Sequence, residues 1–262
     1  MRDHVTMPAA TFRVHGSLND FIAASRRGRP IVREFEASPG IKDVLQALGL
    51  PHPEVDLIVV NDRPVGFDYR LRPDDRVDVF GLDRPPDLAL AAGLIPAPPE
   101  PPRFVLDGHL GRLARYLRML GFDSRYAAHA TDAELAGQSA AEDRILLTRD
   151  RGLLKRSIVR HGYLVRDDDP RRQLAEVVAR YHLARTATPF TRCVRCNGGI
   201  VSVERSEVAE RLAGEPRTLR FFATFGRCDG CGSIYWPGSH FERMSRLAEE
   251  VLRGEAYRRE ST

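Results

Sequence analysis

Cysteine occurs at only four places in this sequence, as Cys193-Val-Arg-Cys196 and Cys228-Asp-Gly-Cys231. Two residues between cysteines let one tight turn aim both sulfurs at a single point. Turn-forming residues follow each pair, Asn197-Gly198-Gly199 after the first and Gly232 after the second. Two such turns complete a tetrahedral thiolate shell, so Cys193, Cys196, Cys228 and Cys231 are expected to hold a Zn²⁺ ion. A closed four-sulfur shell leaves the metal no open position. The zinc is therefore structural, and a catalytic centre must lie elsewhere. Disulfides within the pairs would close very small, strained loops. Met1–Ala10 lacks the apolar core of a signal peptide, and no apolar run approaches the length of a membrane span. Free thiols fit a reducing compartment, so the expected location is cytoplasmic, with no membrane partner.

The plainest break along the chain is Pro/Ala-rich, residues 84–102, where closely spaced prolines forbid a regular ladder or helix. Ahead of it, residues 10–83 read as strand, strand, helix, strand, strand. Thr11–His15 and Ile31–Ala37 are extended. Ile41, Val44, Leu45 and Leu48 recur at helical spacing before Gly49. Leu57–Val60 is apolar and turns at Asn61-Asp62, and Val77 and Val79 alternate with Asp78 in the last strand. That order predicts a β-grasp, ubiquitin-like module. Ser38–Leu45, Val59–Val65 and Asp75–Phe80 resemble the small sulfur-carrier proteins of thiamin and molybdopterin synthesis, which work through a free C-terminal diglycine. Here Phe80-Gly81-Leu82-Asp83 runs on into more chain, so carrier chemistry is not expected. What remains is docking of a protein partner, regulation, or a purely structural role.

Residues 103–188 alternate strands and helices, the signature of a parallel α/β sheet. Phe104-Val-Leu-Asp107 is a short buried strand ending in a carboxylate. Gly108–Leu120 has a helical apolar stripe, Ser124–Ala127 a second strand, and Thr131-Asp-Ala-Glu134 a capping box opening a helix to about Glu142. Arg144–Leu147 is a third strand leading to Thr148-Arg149-Asp150. Gly152–His161 reads as a short basic helix, Tyr163–Arg166 as a fourth strand, and Asp169-Pro170 as a helix start.

Ligands of open parallel sheets bind beyond the C-terminal ends of the strands. Asp107 and Asp150 occupy that place and Asp132 begins a helix in the same succession. Three carboxylates gathered there would need a hard cation, Mg²⁺ or Mn²⁺. Each also has a local explanation: Asp132 offsets a helix dipole, and Asp150 caps the next helix. Asp107 has no propensity reason to close an apolar strand.

Taken together, Phe104–Asp123, Asp132-Ala-Glu-Leu-Ala and Arg144–Leu154 resemble the Mut-seven C-terminal RNase family, a compact branch of the PIN-like nucleases. Pro189–Cys193 and Cys231–His240 are similar to that family's zinc-ribbon tail, and members often carry a ubiquitin-like domain in front. The resemblance implies an α/β chain: a PIN-like parallel-sheet nuclease domain (103–188), a four-cysteine zinc ribbon (189–240), a helix and tail (241–262), and the β-grasp domain in front. It implies metal-dependent hydrolysis of RNA, with Asp107, Asp132 and Asp150 as catalytic residues holding Mg²⁺ or Mn²⁺. PIN nucleases usually add another acid after the first, and the sole acid between Asp107 and Asp132 is Asp123. Asp143 and Asp167–Asp169 are the substitutes on offer.

The formal charge is −3 for residues 1–102, +5 for 103–188 and +2 for 189–262, so a polyanion such as RNA is expected to meet the later part. Arginines make up 38 of the 40 basic residues, mostly a matter of codon bias, although their forked donors suit phosphate. Arg112 and Arg115, in register with Arg118, and the group Arg149, Arg151, Lys155, Arg156 and Arg160 are the RNA-binding candidates, with a solvated charged face as the alternative. His109 is a further candidate for proton transfer. In the ribbon, Ser206–Leu212 reads as helix and Leu219–Phe225 as an aromatic strand that either stacks on bases or fills the ribbon's own core. Ser239-His-Phe-Glu242 reads as a capping box. The rival to a ribonuclease is a non-catalytic RNA-binding adaptor whose acids only cap helices.

Overall fold

The computed structural model describes residues 7–85, 88 and 93–254. Met1–Thr6, residues 86–87 and 89–92 of the proline-rich segment, and the tail from 255 onward lie outside them. The chain divides into two compact units: residues through Ala97 together with Asp150–Tyr163, and Pro98–Arg149 together with Leu164 onward.

The first unit is built on β1 (Ala9–Val14), β2 (Ile31–Glu34), α1 (Ile41–Leu48), β3 (Leu57–Val60), β4 (Arg63–Val65) and β5 (Arg76–Phe80). The sheet order is β2-β1-β5-β3-β4, with β1 parallel to β5 and the other neighbours antiparallel. Alternation buries Ala10, Phe12 and Val14 on one face of β1, and α1 lays Ile41 and Leu45 into the same core. Gly49 ends α1 in the left-handed region at φ 107°, where a side chain would be strained. This is the expected β-grasp, with one strand the sequence reading lacked. Asn61 and Asp62 both take positive φ (48° and 64°), the geometry of a two-residue hairpin turn, so Arg63–Val65 pairs back on β3. Pro64 hid that short edge strand.

The same unit includes α4 (Arg151–Leu154) and the residues after it. The basic helix expected over Gly152–His161 is a single turn. Beyond Lys155 the chain turns irregularly, and Val159 is buried, its carbonyl 2.8 Å from His52 Nε2. Tertiary burial of an irregular stretch overrode its helical spacing.

The second unit carries β6 (Phe104–Leu106), α2 (Gly111–Met119), β7 (Ser124–Tyr126), α3 (Asp132–Ala141), β8 (Ile145–Thr148) and α5 (Pro170–Arg180). With β9 (Gly162–Leu164) the sheet order is β7-β6-β8-β9, and β6 lies parallel to both β7 and β8. A central strand covered on both faces must be apolar throughout, and Phe104, Val105 and Leu106 are all buried. Phe104 meets Phe122 and Tyr181 edge-on, at 6.1 and 5.9 Å between ring centroids. The capping box of Thr131 and Glu134 starts α3 as the sequence dictates.

The ribbon follows: β10 (Ile200–Glu204), α6 (Arg205–Val208), α7 (Pro216–Phe221), β11 (Thr224–Cys228) and β12 (Ile234–Tyr235) form a three-stranded antiparallel sheet with two short helices between its first strands. Leu219 and Phe221 are helical, and the strand begins only at Thr224, because Pro216 opens a helix that runs to Phe221. Phe225 fills the ribbon core with Val203, Val208 and Leu212, whereas Phe221 is 75% exposed. The last helix, α8 (Ser239–Leu252), starts at Gly238 without the expected side-chain cap. It buries Leu247, Ala248 and Val251 and packs on α5.

Candidate functional site

The four cysteine sulfurs come together, with ligand atoms all within 4.8 Å of one another. Cys193 and Cys231 are 3.6 Å apart and Cys196 and Cys228 3.3 Å, close to the roughly 3.8 Å that tetrahedral Zn–S bonds of about 2.3 Å require. The two turns are near copies. Cys193 N–H donates to the Gly198 carbonyl and Asn197 N–H to the Cys193 carbonyl. Cys228 N–H likewise donates to Ser233 and Gly232 N–H to Cys228. Each turn places its fifth residue in the left-handed region, Asn197 at φ 72° and Gly232 at φ 66°, which asparagine and glycine tolerate best. Backbone N–H groups of Gly198 and Cys231 point at the sulfurs of Cys196 and Cys228. The Tyr235 hydroxyl lies 3.0 Å from Cys193 Sγ, and burial together with that sulfur pushes the phenol's pKa up. The donor set, its spacing and its N–H contacts fit a soft, tetrahedral ion.

The first turn is also bolted to the α/β sheet. Arg118, in register with Arg112 and Arg115, is buried rather than facing phosphate. Its Nε donates to the Ser124 carbonyl, and its Nη1 to the Val194 and Arg195 carbonyls of the turn. Asn197 accepts from Ser124 N–H at 2.9 Å and donates to Asp123 Oδ1 at 2.7 Å. Arg144 holds the other Asp123 oxygen at 2.9 Å and Glu142 at 2.6 Å. Burial pushes the Asp123 carboxyl up, but the bonds from Arg144 and Asn197 and the charge of Arg192 outweigh it and hold it below the usual range. Asp123 is thus committed to structure.

Asp107 follows β6 directly and is 6% exposed. Its Oδ1 accepts from His109 N–H at 2.9 Å, while Oδ2 accepts from the Thr148 hydroxyl and from Arg149 N–H at 3.0 Å. Two acceptors per oxygen leave one lone pair, on Oδ1, for another partner. Asp132 is the first residue of α3 and makes no hydrogen bond or ion pair among the described residues. The loop leading to it packs on the turn after Asp107: the Tyr126 hydroxyl donates to the Gly108 carbonyl at 3.0 Å, and a Cβ at Gly108 would meet the Ala128 carbonyl at 2.7 Å. Asp150 is exposed and caps α4 through Gly152 N–H at 2.6 Å. Among the described residues the four cysteines form the one group of three or more side chains placed to share an ion; the three aspartates do not form another.

Residues 102–248 match the family model described as the Mut7-C RNAse domain, and residues 7–87 match Mut7-C ubiquitin. The chain belongs to the Mut7-C RNAse family. No curated protein and no solved structure matches it. No helix among the described residues is long and apolar enough to cross a membrane.

The basic residues of this Mut7-C chain fall into distinct environments. Arg112 and Arg115 stand exposed on α2 without partners among the described residues. Arg149 pairs with Asp168. Within the first unit, Arg151 donates to the Asp20 carbonyl at 2.7 Å and lies over the Phe21 ring, while Lys155 and Arg156 carry no ion pair among the described residues. His109 is exposed. Asp169 caps α5 and Asp167 accepts from Asp169 N–H, so that acidic run is occupied by turn bonds. The sequence reading missed Thr148, Asn197 and the inward role of Arg118. Asn197 had a local signal, a left-handed residue directly after a cysteine pair. A lone threonine or arginine has none.

Proposed function

We propose that this chain hydrolyses RNA phosphodiester bonds with Mg²⁺ or Mn²⁺ held by Asp107, Asp132 and Asp150. The observation that carries this is the family match over residues 102–248, which spans all three acids, each following a strand of the parallel sheet or opening the helix after one. Asp132 offers an unpartnered carboxylate and Asp107 one open lone pair, which suits oxygen-loving cations. A hard divalent ion, when bound, supplies the Lewis acidity that stabilises charge building on the phosphoryl oxygens. Thr148 and the Arg149 amide fix the Asp107 carboxylate in one orientation, and Arg112 and Arg115 would hold the RNA backbone. The Cys193, Cys196, Cys228 and Cys231 shell holds Zn²⁺ as a structural ion, and its thiolates fit a reducing, cytoplasmic setting. The β-grasp module is a docking surface for a protein partner, since the chain beyond Gly81 blocks carrier chemistry.

The adaptor reading has its own support, because Asp107 and Asp150 both spend oxygens on backbone amides. Asp132→Asn separates the two readings. Its side chain caps nothing, so the fold and zinc content should survive while cleavage of single-stranded RNA with Mn²⁺ falls by at least about 10²-fold. Undiminished cleavage in Asp132→Asn and in Asp107→Asn, or no cleavage by the wild type with either metal, rejects the hydrolytic reading.

A further inference from the structure

A cleft of about 370 Å³ opens beside the second cysteine turn, lined by Arg195, Arg211, Gly232, Ser233, Tyr235 and Trp236 among others. Arg211, on the stretch after α6, makes no hydrogen bond or ion pair among the described residues. Its guanidinium rests against Gly232, where a Cβ would come within 2.6 Å of Nη1, so the glycine that completes the turn also leaves the seat for this side chain. Arg195 also lines the cleft, spends a single N–H on Ser233 Oγ at 3.3 Å and is otherwise exposed. Ile234 and Trp236 are half-buried against the ribbon core and also face the cleft, giving it an apolar wall. No carboxylate lines it. Two open guanidinium forks beside an aromatic wall match the two halves of a nucleotide: a phosphate for the arginines and a flat base for the rings. The volume suits one such unit.

We propose that this cleft binds a nucleotide of single-stranded RNA and so holds the substrate strand on the ribbon, an assignment that rests on the ribonuclease reading for its choice of polyanion. Phosphate bridges Arg195 and Arg211, and the base lies along Trp236. A duplex, with its bases already stacked, cannot use the aromatic wall.

The test uses the full zinc-loaded chain carrying Asp132→Asn, and fluorescence anisotropy of a labelled twelve-nucleotide oligouridylate across a salt series. Arg195→Glu with Arg211→Glu should weaken binding by at least about tenfold and flatten the salt dependence by roughly 0.7, the share of the one phosphate that the two arginines hold on a single strand. If that pair also releases zinc, Arg195→Gln with Arg211→Gln is read instead, with the same flattening expected. Unchanged affinity with zinc retained overturns the proposal and leaves these arginines as charge balance for the thiolate shell. Equal affinity for a duplex of the same length also overturns it. Cleavage by the wild type is scored separately. A chain that never cuts but loses binding in the double variant keeps the cleft and loses the hydrolytic reading; a chain that cuts with unchanged binding does the reverse.

Discussion

The Asn197 side chain makes two of the hydrogen bonds that tie the first cysteine turn to the parallel sheet, and Asn197→Ala should cost far more than an ordinary surface substitution. Three losses combine. Ser124 is fully buried, so its N–H loses an acceptor and stays dry, at about 1–3 kcal/mol. The buried side of Asp123 loses the donor at 2.7 Å, a charge-assisted bond of about 1.5–3 kcal/mol, discounted here to about 1 because Asp123 is partly solvated and keeps Arg144. Alanine at φ 72° adds about 1 kcal/mol of backbone strain. Together these reach about 4 kcal/mol, or a fall in Tm of roughly 8–16 °C for a chain of this size. Asn197→Gly loses the same bonds but not the strain, so it should recover about 1 kcal/mol of the deficit. Thermal unfolding of the zinc-loaded proteins, followed by circular dichroism, reads both numbers. A Tm within 2 °C of wild type for the alanine variant, or a glycine variant less stable than alanine, would refute the argument that this residue joins ribbon to sheet.

Two further outcomes follow from the same network. The depressed Asp123 carboxyl contributes stability that is fully present above its unfolded value near pH 4 and is lost as pH falls through its lower folded value. Arg144→Gln removes the partner that holds it down, so the midpoint of acid unfolding should move to higher pH; an unmoved midpoint would contradict the assignment. A strong chelator should release one zinc per chain, measurable with a colorimetric metal indicator. It should also lower the Tm of the sheet, because Arg118 then loses the Val194 and Arg195 carbonyls. Zinc release with an unchanged Tm would show that ribbon and sheet are uncoupled.

Much of the fold was written in signals that span a few residues. The cysteine spacing gave the four-cysteine cluster, Thr131 and Glu134 gave the start of α3, Asp169-Pro170 the start of α5, and Gly49 the end of α1. Where local patterns competed, the outcome differed: packing left Gly152–His161 one helical turn, while the helix start at Pro216 split the aromatic run at Leu219–Phe225 between a helix and a strand. The candidate acids were legible as types at strand ends, while their partners were not.

The sequence by itself determined the four-cysteine cluster, the β-grasp order and the parallel alternation, because each depends on hydrogen bonds or periodicities closed within a turn or a strand. Only the tertiary structure decided that Arg118 faces inward, that Asn197 clasps Asp123 across 74 positions of chain, and that Thr148 reaches back 41 positions to Asp107. Such contacts are made by side chains whose neighbours in space are strangers in sequence, and a buried donor takes whichever acceptor the packed backbone leaves within reach.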